Sequence, residues 1–436
     1  MRWLTAFLAA VVSFSHCAEA CLGHLVETPN PHSTTLSSLK RSVANSTRSR
    51  TALHNVRVFD GQKISSPQTI FIDGDVIATN LTDVDTTIDA GGRILIPGLI
   101  DSHAHPVSIQ ALANLTSYGV TTAVNMACYN YTACDELRHH GLAGIASYIS
   151  AGIPVISPGS QHSKTFALPD TFLLKSTDDP TAAVSYSFGN GSDFFKIVAE
   201  PNGPSQDMQN ALVAAVHKLG KQAMTHAAYT HDWAQAAMSN TDGIQHIASN
   251  GPIGADVLAT IANKNSRQFN TPTMNIFKEV FRNPALMQLL GRDPRANDSY
   301  AIVSQNVRAV HAAGIPILAG TDAIGAISPS ISILFGASLH AELEYLVNDG
   351  GLTPAEALRA ATSLPAKHHQ GLEDRGVIAP GMRADLVLLN SDPLVNISYT
   401  RDIARVWVAG VEYSESTNNS SGTSDTPIKN WKVVLH

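Results

Sequence analysis

No basic run, no glycine-rich phosphate loop and no bilayer-length apolar segment occur in this sequence. Lysine and arginine number 29 against 36 aspartates and glutamates, a formal net charge of −7. A nucleic-acid or anionic-membrane partner needs a basic face, so the balance argues against both. Neither G-x-G-x-x-G nor a Walker motif is present, which removes the signature of a dinucleotide or P-loop enzyme. The absence of G-x-S-x-G disfavours a serine hydrolase. Charge itself is scarce, at 15% of residues, whereas 44% are hydrophobic, enough apolar material for a large core.

At 436 residues the chain exceeds one ordinary domain, although α/β barrels of roughly 250 residues are single units. Its start has a character of its own. Arg2 precedes a short apolar stretch, Trp3 to Phe14, and Ala18-Glu19-Ala20 fits a small-x-small cleavage site. Residues 1–20 therefore read as a secretory signal peptide. Nine N-x-[ST] sequons agree with a eukaryotic secretory route: Asn45, Asn80, Asn114, Asn130, Asn190, Asn297, Asn396, Asn418 and Asn419. The expectation is a secreted, N-glycosylated protein with no membrane attachment after signal cleavage. Cys128 and Cys134 in "ACYNYTAC" could close a small disulfide loop in an oxidising compartment, although spacing alone does not prove the bond.

Residues 21–50 are polar and Ser/Thr-rich, a flexible arm or propeptide, and 414–436 form a similar tail. Residues 51–93 alternate in short β-like runs, and the same grammar returns over 371–413 in "ADLVLLN" and "IARVWVAGVEY". The two segments are expected to pair into a small β-sandwich. Between them, residues 94–370 alternate apolar runs with helical patterns. The runs are "ILIPGLI", "GVTTAVNM", "IPVIS", "DFFKIVA", "KQAMTH", "GIQHI", "RQFNTP" and "IPILAGTD". Eight βα units with strands buried on both faces are the arithmetic of a (β/α)8 TIM barrel, with a doubly wound open sheet as the alternative.

The first run continues into "DSHAHP". In an extended chain residues i and i+2 point to one side, so His103 and His105 present both imidazoles to one point, as a divalent metal requires. Alone, the pair is equally readable as two ordinary histidines. Four more runs carry a ligand-type residue at or near the strand end: Lys196, His226, His246 and Asp322. Active sites of such barrels occupy the face formed by strand C-termini, and independent structural residues have no reason to repeat that placement.

"GLIDSHAHP", the strand-four lysine, the two single histidines and "GTDA" together resemble the metal-dependent amidohydrolase superfamily. The segments "LTPAEALRAATSLPAKHHQGL" and "GVIAPGMRADLVLLNSDPL" are similar to those after its barrel. The similarity covers about Ala52 to Tyr413 and is strongest to the peptidase- and amidase-like branch, with its Xaa-Pro dipeptidases and fungal ochratoxin hydrolase. It implies two divalent metal ions, Zn²⁺ foremost. His103 and His105 would bind one with Asp322, His226 and His246 the other, and a carboxylated Lys196 would bridge them. A carbamate is an anionic oxygen ligand, which an ammonium is not. A salt-bridged or substrate-binding Lys196 is the alternative, with only one metal in the latter case. The implied chemistry is attack by metal-activated hydroxide, with Asp322 moving the proton from water to the leaving nitrogen.

Specificity is less legible. Tyr229 and His231 follow His226 in "HAAYTHDW", as candidates to polarise the carbonyl or bind a substrate carboxylate. His162 and Lys164, in "SPGSQHSKTF", are candidates of the same kind. His340 with Glu344 reads as a solvated helix pair, and the pairs 139–140 and 368–369 as surface or connecting residues rather than ligands. The reading is an amidohydrolase acting on a dipeptide, N-acyl amino acid or amide-containing metabolite. Cyclic amide, lactone or ester hydrolysis is the runner-up; decarboxylation and a catalytically inactive binding protein are more distant. The resemblance also implies homo-oligomers, although no interface is legible.

Overall fold

The computed structural model describes residues 49–262, 267–292, 297–328 and 331–414. The expected signal peptide, nearly all of the arm and the tail beyond 414 lie outside the described residues. So do Cys17, Cys21 and the sequons at Asn45, Asn418 and Asn419. Among the described residues no helix is long and apolar enough to cross a membrane.

Five strands come first: β1 (Arg50–Val58), β2 (Gln68–Asp73), β3 (Val76–Ala78), β4 (Thr86–Asp89) and β5 (Ile94–Pro97). Strand β1 serves three partners, pairing with β2 from Arg50 to Val56 across a bulge, with β4 through Thr51 to His54, and with β5 through Arg57 and Val58. Residues 94–97, expected with the barrel, belong to this sheet.

The run "ILIPGLI" is thus two strands. After the single residue Gly98, β6 (Leu99–Ala104) begins the TIM barrel, followed by β7 (Val120–Asn125) and β8 (Ser147–Ser150). Next come β9 (Phe195–Ala199), β10 (Ala223–Ala227), β11 (Gly243–Gln245) and β12 (Phe269–Thr271). They form parallel sheets in the orders β6-β7-β8 and β12-β11-β10-β9. Single bridges span the gaps between these two sheets. Val155 meets Ile197, Ile317 meets Asn270, and Ala323 meets Ala104. "IPVIS", expected as the third strand, is instead the bridge to β9, because "SYIS" has already taken the place beside β7. The eighth run, 315–322, makes bridges and scattered backbone hydrogen bonds without a full ladder.

Helices separate the strands: α1 (Ile109–Ser117), α2 (Tyr131–Arg138), α3 (Gln161–Thr165), α4 (Pro180–Gly189), α5 (Gln206–Lys218) and α6 (Thr230–Met238). Then follow α7 (Ala255–Ala262), α8 (Met274–Arg282), α9 (Pro284–Leu289), α10 (Tyr300–Ala312) and α11 (Ala337–Asn348). Helix α5 shows why. The Ser205 hydroxyl accepts from the Met208 N–H, and Leu212, Val213 and Val216 bury one face, each worth about 1.5–3 kcal/mol. Strands β6, β7 and β9 are buried at every position, as strands covered on both faces must be. Ile100, Val124, Met224, Phe269 and Leu318, one from each of five strand segments, share a core cluster that fills the barrel.

The antiparallel β13 (Gly325–Ser328) and β14 (Ile331–Ile333) precede α11. The chain returns to the first sheet through β15 (Leu386–Leu389), β16 (Ile403–Val408) and β17 (Val411–Glu412). The result is one eight-stranded sheet, β17-β16-β15-β5-β1-β2-β3 with β4 beside β1. Leu53, Ile72, Leu95, Leu386 and Trp407, from both ends of the chain, share its core.

Candidate metal centre and its cavity

A cavity of about 940 Å³ opens at the C-terminal ends of the barrel strands. His103, His105, Lys196, His226, His246 and Asp322 all line it. The ligand atoms of His103, His105 and Asp322 lie within 4.8 Å of one another. Asp322 Oδ1 is 2.9 Å from His105 Nε2 and 3.3 Å from His103 Nε2. The other two histidines stand beside them: ring centroids are 4.7 Å apart for His103–His246 and 4.4 Å for His226–His246.

Backbone geometry delivers these groups. The Thr321 and Asp322 N–H groups both donate to the His103 carbonyl, tying the last barrel segment to the first strand. A Cβ on Gly320 would stand 2.8 Å from His103 N and 2.5 Å from a Thr271 methyl, so only glycine passes between β6 and β12. His246, Thr273 and Asp322 adopt positive φ of 70°, 51° and 58°. Left-handed backbone is costly outside glycine and is concentrated at functional sites.

Hydrogen bonding fixes which imidazole nitrogen faces inward. His103 Nδ1 lies 2.9 Å from Gln245 Oε1, an acceptor, so Nδ1 carries the proton and donates it. Its Nε2 lone pair then points at the Asp322 carboxylate, an arrangement that calls for a cation between them. His246 Nδ1 similarly meets Thr273 Oγ1 at 2.7 Å. Burial, with the Lys196 charge second, lowers the His103 pKa to about 4, and burial first also holds His226 and His246 well below their usual value. All three are neutral imidazoles at pH 7, the form that can ligate a metal. Burial by itself would raise Asp322, but its contacts with His103 first and then His105 outweigh it and hold the carboxyl well below its usual range.

Lys196 is 4% exposed and has no ion-pair partner among the described residues. Burial depresses its amine to about 7, only partly opposed by Asp322. The donor set therefore fits divalent metal: three neutral imidazoles and His105, a carboxylate, and a buried lysine that no protein carboxylate neutralises.

Of the specificity candidates, Tyr229 and His162 line the cavity; Lys164 and His231 do not. Both of the latter are exposed. Lys164 sits on α3, whose Gln161, His162 and Thr165 line the cavity, and His231 is the exposed second residue of α6, next to buried Asp232 and Trp233. His162 Nδ1 and backbone N–H both contact the Glu200 carboxylate, at 2.7 and 2.9 Å, and its ring stands 4.7 Å from that of His226. Burial opposes ionisation of Glu200, but the His162 contacts prevail and keep its pKa below normal.

Cys128 and Cys134 are joined by a disulfide, with the cavity-lining Tyr129 between them. His340, expected in a solvated pair, is buried: Nδ1 meets Thr400 Oγ1 and Nε2 meets the Tyr118 carbonyl, while Glu344 pairs with Arg401. His140 and His369, expected as surface or connecting residues, are buried and lie outside the cavity.

Several site residues escape sequence reasoning. Gln245 and Thr273 orient histidines, Glu200 holds His162, and Arg292 enters the cavity wall from beyond α9. Asp101 was the most readable of the missed groups, two residues before His103 on the same strand. Its carboxylate accepts from the His103 and Thr321 N–H groups and the Thr321 hydroxyl.

Residues 94–412 match the amidohydrolase family. Among curated relatives, the imidazolonepropionase of Deinococcus deserti is 41% identical over 22% of this chain but over only 24% of its own length. That of Streptomyces avermitilis is 24% identical over 78% of this chain and 86% of its own. Two solved structures superimpose over 84% of the chain. A Xaa-Pro dipeptidase with bound methionine has a TM-score of 0.70, 20% identity and 100% of its chain covered. The A. niger ochratoxinase has a TM-score of 0.67, 16% identity and 96% of its chain covered. With the family match spanning the barrel and the returning strands of the terminal sheet, the chain belongs to the amidohydrolase family.

Proposed function

We propose that this protein hydrolyses an amide bond of a small substrate, using two divalent ions held by His103, His105, Lys196, His226, His246 and Asp322. The observation that carries the proposal is the convergence of all six on one cavity, with His103 Nε2 and Asp322 Oδ1 facing each other at 3.3 Å. Bound ions would supply Lewis-acid activation of water and of the scissile carbonyl, and zinc suits these nitrogen and oxygen donors. The chain's own groups do the rest. Asp322, ionised far below neutrality, accepts the proton of the attacking water at its carboxylate and returns it to the leaving nitrogen. His162, whose Nδ1 is held by Glu200, offers Nε2 to the substrate, and Tyr229 offers its hydroxyl. Lys196 carries a carbamate: a buried amine with a pKa of about 7 has the neutral fraction needed to take up carbon dioxide. Similarity to imidazolonepropionases favours a cyclic amide as the second reading.

The test is release of amine or acid from a panel of linear amides, cyclic amides and esters, with and without added Zn²⁺. A metal-loaded protein that cleaves none of them, with Asp322→Asn indistinguishable from the parent, overturns the proposal. For Lys196, intact mass under native conditions should show an added carbon dioxide, which a Lys196→Ala variant lacks.

Secretion is part of the same proposal. The Cys128–Cys134 disulfide suits an oxidising compartment. The sequon asparagines at 80, 114, 190, 297 and 396 are exposed, so oligosaccharyltransferase could reach them. Protein from a eukaryotic secretory host should lose mass on peptide-N-glycosidase treatment; no shift removes the glycosylation claim.

A further inference from the structure

We infer that Arg292 is a specificity residue of this cavity, selecting substrates with a free carboxylate beside the scissile amide over neutral amides. The inference rests on the amide-hydrolase reading of the site. Much of the wall near Arg292 is apolar, including Ile276, Phe277, Val280, Leu289 and Leu290. A guanidinium buried to 8% side-chain exposure among such groups is expensive to desolvate. A purely structural arginine would recover that cost by spending its planar fork bidentately on a carboxylate partner. Arg292 meets one carboxylate, Asp298, but through a single nitrogen. Both of its protein hydrogen bonds leave from Nη1, to Asp298 Oδ2 and Ser249 Oγ, each at 2.8 Å. Nε and Nη2 carry no hydrogen bond among the described residues. Those two N–H groups form the side edge of the guanidinium, which matches a carboxylate bidentately.

The edge is also held still. The guanidinium carbon lies 5.2 Å from the Tyr229 ring centroid, 5.1 Å from Phe277 and 5.9 Å from Phe281. These contacts fix the plane without using a donor. Its position relates it to the histidines. Tyr229 is three residues past His226, Ser249 three past His246, and the Phe277 ring packs 6.3 Å from that of His246. Arg292 therefore stands one aromatic ring beyond the imidazoles. In an acylated amino acid the α-carboxyl carbon is three bonds from the scissile carbonyl carbon. A carboxylate on Arg292 thus leaves the neighbouring amide toward the histidine cluster and its side chain toward the apolar wall. N-acyl amino acids and dipeptides with apolar C-terminal residues are the substrate class that fits.

The experiment compares N-benzoyl-L-leucine with N-benzoyl-L-leucinamide, which differ only in the carboxylate. Calorimetric binding to the metal-loaded protein should favour the acid by about tenfold or more, and benzoate release should show the same ranking in kcat/KM. In Arg292→Gln the acid-over-amide ratio should fall to near unity. Arg292→Lys keeps the charge and most of the packing but lacks the fork, so it should lower the ratio as well. Equal binding of acid and amide by the parent, failure of the acid to bind at millimolar concentration, or a ratio unchanged in both variants overturns the inference. Arg292-dependent binding of the acid without cleavage of either compound would instead remove the hydrolase reading and leave the carboxylate site standing.

Discussion

A metal-binding imidazole needs one nitrogen unprotonated and aimed, and here Gln245 decides which one. Its amide oxygen takes the His103 Nδ1 proton, so Gln245→Leu releases the ring to the other tautomer. Zinc affinity should fall by about 10–100-fold, read by competition with a chromogenic chelator, while the circular-dichroism spectrum is unchanged. Glu342 is a second buried group with a measurable signature. It accepts from the Met274 and Asn275 N–H groups at the start of α8, next to the residue that holds His246. Burial raises its carboxyl to about 8 despite those two bonds. A raised carboxyl contributes stability that is complete below its unfolded pKa, near 4.5, and is lost as pH climbs towards 8. From pH 5 to 9 the parent should therefore lose Tm relative to Glu342→Gln by roughly 2–5 °C in scanning calorimetry. A parallel pH course for the two proteins refutes this. Sequence reading brought six site candidates together because each lies in or just after a recognisable apolar run: four histidines sit at or just beyond the ends of β6, β10 and β11, Asp322 ends the eighth run, and Lys196 is the second residue of β9. It could not orient Lys164 or His231, because a helical residue turns about 100° from its neighbour and the phase of α3 and α6 is set by packing. Glu342 was invisible for a different reason: its partners, the Met274 and Asn275 N–H groups, lie 68 and 67 residues away.

The loop after β7 is pinned by the Cys128–Cys134 disulfide, and Tyr129 inside it forms part of the cavity wall. Loss of that bond should cost about 2 kcal/mol by closing entropy. Replacing both cysteines by serine is expected to lower Tm by a few degrees and to raise KM more than it lowers kcat, since the loop shapes the wall and bears no proton-moving group. A KM unchanged within error dissociates the loop from substrate binding. Element reading from sequence erred at the joints. "ILIPGLI" is uniformly apolar because both of its halves are buried, β5 in the terminal sheet and β6 in the barrel. No periodicity marks the change of sheet, and only Pro97-Gly98 punctuates it. "IPVIS" failed likewise: its composition suits a strand, but whether a short run makes a ladder or one bridge depends on which neighbour reaches the place first.

At the scale of the molecule, the two ends of the chain are one structure. Strand β15 pairs with β5 from Leu386↔Pro97 to Leu389↔Ile94, and β5 in turn pairs with β1. Deleting residues 386–412 would leave β5 with an open edge and uncover Leu53, Leu95 and Ile72. Such a truncation should lose soluble yield by roughly tenfold or more, measured after expression beside the full chain, with co-expressed 381–414 restoring part of it. The barrel class and terminal-strand pairing were readable from the order of runs. Their union into one eight-stranded sheet was not, since β1 meets three partners and alternation predicts a face, never a neighbour.

The hydrogen bonds from Thr321 and Asp322 to the His103 carbonyl carry a consequence for biogenesis. Residues 105 and 322, which share a 2.9 Å contact, are 217 positions apart. On the ribosome the earliest barrel ligands emerge long before their partner, and half a site is a poor trap for an ion. If the site takes up metal as proposed, loading waits until translation has passed the whole barrel, and it happens in whatever compartment holds the chain when the ring is finished.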